Sequence, residues 1–100
     1  AGYTMAFGEY VSYMRTVGAH DDAPLYLFDK HFDRTMPELA ADLKTPRHFS
    51  EDLFGVLGEG RPDWRWLIVG PERSGSSFHV DPNATSAWNA TLCGSKKWIM

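Results

Sequence analysis

His79, Val80 and Asp81 place an imidazole and a carboxylate two residues apart, the separation at which side chains leave the same face of an extended strand. Both can then reach one cation. Two histidines and one carboxylate leave three positions of a ferrous ion open to a cosubstrate and oxygen, so the pair supplies two thirds of a facial triad. The H-x-D spacing is short enough to recur by chance, and a strand histidine bonded to its neighbour satisfies it equally. Lys96 and Lys97 add a second signal. Adjacent lysines on a strand face opposite ways, so in a barrel one of them points inward. Alternation groups Lys96 with Trp98 without deciding which face is inside. An inward lysine beside a metal needs an anion to offset its desolvation, which implies an acidic ligand such as a dicarboxylate.

Other motifs carry less. Gly70-Pro71-Glu72-Arg73-Ser74-Gly75-Ser76-Ser77 imitates a phosphate-binding loop, but Ser76 stands where the lysine belongs. Phe78, Val80 and Pro82 then make a strand, not the required helix, so no nucleotide site is expected. The loop lacks a G-x-S-x-G elbow and with it support for a serine nucleophile. Asn83-Ala84-Thr85 and Asn89-Ala90-Thr91 are formal glycosylation acceptors, set aside because no secretory signal precedes them. His20, His31 and His48 read as surface residues. Trp64, Trp66, Trp88 and Trp98 read as core, and Cys93 as a small buried apolar residue without a partner histidine.

The elements that would position these groups follow from periodicity. Phe7, Tyr10, Val11, Met14 and Val17 form the apolar stripe of a helix over about Thr4–Val17, with Gly18 as its stop. Leu25–Phe28 reads as a short buried strand. Thr35 is expected to cap a helix with Pro37 in its first turn, and Ser50 another ending near Gly58. Strands are predicted over 64–69, 77–81, 85–93 and 96–100, with Gly94-Ser95 as a hairpin turn. The expectation is a mainly β fold with N-terminal helices: residues 1–60 as a helical cover with one strand, residues 61–100 as the first strands of a barrel, together part of one domain.

Composition agrees with a globular chain. It is 43% hydrophobic, 23% charged and 14% aromatic over 100 residues. Ten Lys and Arg against thirteen Asp and Glu give a formal charge of -3 with no basic block, so there is no direct nucleic-acid signal. No apolar run approaches the roughly 20 residues of a membrane span. The single cysteine and the absence of a signal segment point to an intracellular, reducing compartment. The chain starts at Ala1 and stops at Met100 in what reads as mid-strand, so it is expected to be part of a longer chain, truncated at the C-terminus.

From Arg65 to Met100 the residues become recognisable. Gly-Pro-x-Arg-Ser-Gly at 70–75, His-x-Asp-Pro at 79–82, Thr-Ser-Ala-Trp-Asn-Ala at 85–90 and a lysine seven residues after Asn89 together resemble the JmjC family of iron(II) and 2-oxoglutarate dependent oxygenases. Within it they look most like the branch of the bifunctional arginine demethylase and lysyl hydroxylase once called the phosphatidylserine receptor. The resemblance extends upstream through Ala23–Asp29 and Phe49–Phe54. It implies a double-stranded β-helix, the jelly-roll or cupin-like barrel, of which this chain would hold part. It implies His79 and Asp81 as iron ligands, Lys96 as the partner of the distal 2-oxoglutarate carboxylate, and Tyr26, Ser76 and Asn89 as polar contacts around that cosubstrate. Ser76 departs mildly from the family, which usually carries threonine there. The second histidine ligand would lie beyond residue 100, so activity is expected of a longer chain.

The implied activity is hydroxylation of protein side chains, lysyl hydroxylation or N-methyl-arginine demethylation, with molecular oxygen as co-reactant. A histone or RNA-processing protein would be the substrate, in the nucleus or cytoplasm. Two other readings compete: a non-catalytic JmjC-like protein-binding module, and a cupin-type protein with zinc or nickel that needs no inward lysine.

Overall fold

The computed structural model describes residues 2–100. Helix α1, Phe7–Arg15, forms on the expected stripe but is shorter than its periodicity. Glu9 begins it by accepting a hydrogen bond from the Ala6 N–H at 3.0 Å, the return half of a capping box. Glu9 in the first turn and Arg15 in the last both complement the helix dipole. A 3-10 turn at Val17–Ala19 follows. Gly18 is buried inside it, where a Cβ would lie 2.9 Å from the Tyr13 ring.

Strand β1, Leu27–Asp29, and strand β2, Leu67–Val69, pair antiparallel with Leu27 opposite Val69 and Asp29 opposite Leu67. Between them lie α2, Phe32–Thr35, and α3, Pro37–Asp42. Thr35 ends α2 instead of capping the next helix. Its hydroxyl reaches the Phe32 carbonyl at 3.4 Å, and Met36 takes the cap position of α3 with no side-chain cap bond. Pro37 opens α3, where its missing N–H costs nothing. Ser50 likewise does not cap. It closes the 3-10 turn Arg47–Phe49, and Leu53–Gly60 is a further 3-10 run. Ahead of that run, Asp52 spends its carboxylate on Arg61, one oxygen accepting from Nη2 at 2.9 Å, and this pairing holds its carboxyl below the usual carboxylate range.

Two tyrosines dock α1 on the sheet. The Tyr10 hydroxyl lies 2.9 Å from both the Leu25 and Val69 carbonyls and accepts from the Leu27 N–H at 3.2 Å. Tyr13 donates to Asp21 at 2.6 Å and accepts from the Leu25 N–H at 2.8 Å. Among the described residues, Tyr10, Phe32 and Ala40 are the buried apolar ones.

The second half corrects the expectation. Segments 77–81, 85–93 and 96–100 form no strands, and β2 covers three residues of the six predicted. Among the described residues, the backbone hydrogen bonds of 77–100 are two local ones, Ala84 N–H to Asp81 and Thr85 N–H to Pro82. A strand exists only against a partner ladder, and a jelly roll pairs strands far apart in sequence. Here 77–100 meets none, so Phe78, Val80 and Leu92 stay about four-fifths exposed. Gly94 does take a turn conformation at φ 77, without a hairpin around it. Trp64 and Trp98 are exposed instead of core, and Cys93 is exposed instead of buried, for the same lack of covering layers. Among the described residues no helix is long and apolar enough to cross a membrane.

Candidate functional site

His79 and Asp81 meet although no strand holds them. Asp81 is extended at φ -62 and ψ 150, which suffices to bring its Oδ1 to 3.2 Å from His79 Nε2. The ring is fixed from its other side, where Nδ1 sits 2.6 Å from the Ser77 carbonyl oxygen. A carbonyl only accepts, so this contact places a hydrogen on Nδ1. Nε2 faces a carboxylate oxygen. Two acceptors at this distance repel unless a proton or a cation joins them, and a histidine that donates its second N–H to a backbone carbonyl is the usual form of a metal-bound imidazole.

The donor set, one imidazole nitrogen and one carboxylate oxygen, fits a divalent transition metal. The His79 side chain is 54% exposed and that of Asp81 28%, which leaves room for further ligands. Among the described residues no third His, Cys, Asp or Glu completes a metal cluster.

The other expected site residues are spread over the chain. Lys96 holds its ammonium 4.6 Å from the Trp98 ring centre, so these two share a side as alternation predicts, and both are exposed. Asn89 lines an open depression with Ala87, Trp98 and Met100. Trp88 beside it stacks on Phe49, ring centres 5.8 Å apart, the contact that ties this segment to the first half. Tyr26 is half-buried just before β1, and burial pushes its phenol pKa up, so it stays a hydrogen donor. Ser76 is exposed, three residues ahead of His79. Among the described residues no hydrogen bond or ion pair joins the His79–Asp81 pair to Lys96, Asn89, Tyr26 or Ser76.

Residues 70–75, dismissed above as a false phosphate loop, are built for packing. A Cβ on Gly70 would strike the Ser74 hydroxyl and lie 2.7 Å from the Tyr26 ring. Ser74 cannot easily retreat, because its N–H and Oγ both bond the Pro71 carbonyl, at 3.1 and 2.6 Å. Arg73, at φ 69, reaches the Ala19 and Asp21 carbonyls at 3.2 and 2.8 Å. Sequence reasoning missed this tether; the only signal was a loop glycine pair around an arginine. A polar cleft elsewhere, lined by residues including Lys30, His31, Asp63 and Arg65, is internally paired: Lys30 with Asp63 at 3.3 Å and Arg65 with Asp33 at 3.2 Å.

No family model matches the chain, and no solved structure does. Curated proteins do. Arginine-specific demethylase JMJ22 of Arabidopsis thaliana is 59% identical over 83% of this chain and 16% of its own length. The bifunctional arginine demethylase and lysyl-hydroxylase psr-1 of Caenorhabditis elegans is 45% identical over 80% of this chain and 21% of its own. The 2-oxoglutarate and iron-dependent oxygenase JMJD4 of Danio rerio is 34% identical over 96% of this chain and 24% of its own. The chain thus spans a quarter or less of each of these proteins. Identity at this level over four-fifths of the chain or more makes it a relative of the JmjC oxygenases, matching one stretch of each.

Proposed function

We propose that this chain contributes two iron ligands and part of the cosubstrate site to a 2-oxoglutarate-dependent oxygenase acting on lysyl or methyl-arginyl side chains of proteins. The observation that carries the reading is His79 Nε2 lying 3.2 Å from Asp81 Oδ1 while Nδ1 turns to the Ser77 carbonyl. The names of the relatives, an arginine demethylase, a bifunctional arginine demethylase and lysyl-hydroxylase, and a 2-oxoglutarate and iron-dependent oxygenase, support the chemistry. In this reading segments 77–81, 85–93 and 96–100 become strands of a jelly roll once partner strands are present.

Bound iron and 2-oxoglutarate would supply oxygen activation, the cosubstrate and O2 becoming succinate and CO2 while one substrate C–H bond becomes C–OH. The chain's residues do the holding. His79 offers a neutral nitrogen and Asp81 a charge that offsets part of the cation's. Lys96 neutralises the distal carboxylate, and Asn89, Ser76 and the protonated Tyr26 phenol offer hydrogen bonds around it. Hydroxylation at an N-methyl carbon ends in demethylation, since the resulting carbinolamine releases formaldehyde.

The test is anaerobic addition of iron(II), then 2-oxoglutarate, to a full-length chain carrying this sequence. A visible metal-to-ligand charge-transfer band that disappears in Asp81→Ala is expected. Its absence from a folded full-length chain replaces the catalytic reading with that of a protein-binding module. Lys96→Ala should keep iron binding but weaken 2-oxoglutarate about ten- to hundredfold, the worth of one charge-assisted hydrogen bond of roughly 1.5–3 kcal/mol. Titrating the band with 2-oxoglutarate measures this, and an unchanged midpoint would remove Lys96 from the site.

A further inference from the structure

We propose that Arg73 is a positioning residue, fastening the loop that delivers His79 and Asp81 to the end of the N-terminal helical unit; the inference rests on the metal-site reading above. Its backbone lies in the left-handed region at φ 69, where a residue with a side chain persists only if its surroundings over-determine it. The surroundings here are specific. Nη2 donates to the carbonyls of Ala19 and Asp21, at 3.2 and 2.8 Å, across more than fifty residues of sequence. Those carbonyls sit at the end of the Val17–Ala19 turn, where a helical terminus leaves acceptors without partners. Asp21 is itself held by the Tyr13 hydroxyl at 2.6 Å. A continuous polar line therefore runs from α1 through Tyr13 and Asp21 to Arg73.

Both ends of the loop then matter. Behind Arg73, Gly70 is locked between Tyr26 and Ser74, which seats a candidate cosubstrate contact. Ahead of it, the side-chain hydrogen bonds and ion pairs of residues 76–100 are all local among the described residues. Arg73 is the last polar fastening to the first half before the His79–Asp81 pair. Fixing the loop there limits the directions from which the pair can approach a metal and Tyr26 together.

The experiment compares full-length wild type with Arg73→Gly, which keeps the left-handed backbone without the guanidinium, and Arg73→Lys, which can still donate to a carbonyl. Amide exchange without metal should rise at 17–21 and 70–75 in Arg73→Gly. Mn(II) affinity, read by paramagnetic resonance, should fall about tenfold, as supporting groups around metal ligands typically show, and Arg73→Lys should recover part of both. Unchanged exchange would overturn the fastening, and increased exchange with undiminished Mn(II) affinity would overturn the positioning role. A wild type that binds no Mn(II) refutes the metal site itself and the role of Arg73 with it, a failure recognisable because it does not depend on the variant.

Discussion

Replacing His79 with alanine in a full-length chain should lower iron(II) affinity by on the order of a hundredfold and abolish measurable turnover. Structural zinc sites of about four ligands deliver roughly 10–16 kcal/mol, so one ligand contributes about 3 kcal/mol, near two powers of ten. The substitution removes more than a donor atom. Without the ring, the hydrogen bond to the Ser77 carbonyl is lost, and Asp81 faces the cation with water in place of the nitrogen that now stands 3.2 Å away. Competition with a chromophoric chelator measures the affinity directly, without needing the substrate. Because His79 is exposed and its contacts are local, the far-ultraviolet circular dichroism should not change. Undiminished turnover in this variant would end the proposal that His79 is an iron ligand.

The approach of His79 to Asp81 was legible in the sequence for a local reason. Two residues two apart need only an extended backbone to converge, and Asp81 has one without any sheet. Lys96 beside Trp98 follows the same logic. What depends on distant partners was not legible in this way. The apolar run Trp64–Val69 announces a strand, yet only Leu67–Val69 finds hydrogen-bonding partners, in Leu27–Asp29, and 77–100 finds none. Periodicity reports that a segment could line a sheet; it does not report whether a neighbouring strand is available. Caps failed differently. Thr35 and Ser50 have the right chemistry for helix starts, but Thr35 ends α2 behind the buried Phe32, and Ser50 closes the 3-10 turn Arg47–Phe49. Arg73 had no sequence signal beyond its flanking loop glycines, since a left-handed arginine is stable only through carbonyls that the fold brings to it.

Tyr10 is where the structure concentrates its stability, and Tyr10→Ala should destabilise the helix–sheet unit by about 3–5 kcal/mol, the usual cost of deleting a buried aromatic side chain. Only 4% of the residue is exposed, and its ring stacks on Tyr13 with centres 5.9 Å apart. Its hydroxyl has one proton for two carbonyls, Leu25 and Val69, and a lone pair for the Leu27 N–H. Tyr10→Phe separates the contributions: it keeps the ring and leaves backbone groups at the β1–β2 junction without a partner, for about 1–3 kcal/mol. Chemical denaturation of both variants gives the two numbers, and a Tyr10→Phe loss equal to that of Tyr10→Ala would mean that the ring contributes nothing. The same hydroxyl sets an alkaline limit. Burial, before any other cause, raises the Tyr10 pKa above its ordinary 10.0, and the hydrogen bond to Asp21 foremost raises that of Tyr13. A group raised in the folded state contributes its full stability below the unfolded value and loses it as pH climbs through the folded one. The unit should therefore hold constant stability from these tyrosines up to about pH 10 and lose it above, with phenolate absorbance appearing together with unfolding. In Tyr10→Phe that alkaline loss should shrink to the share carried by Tyr13 and the half-buried Tyr26.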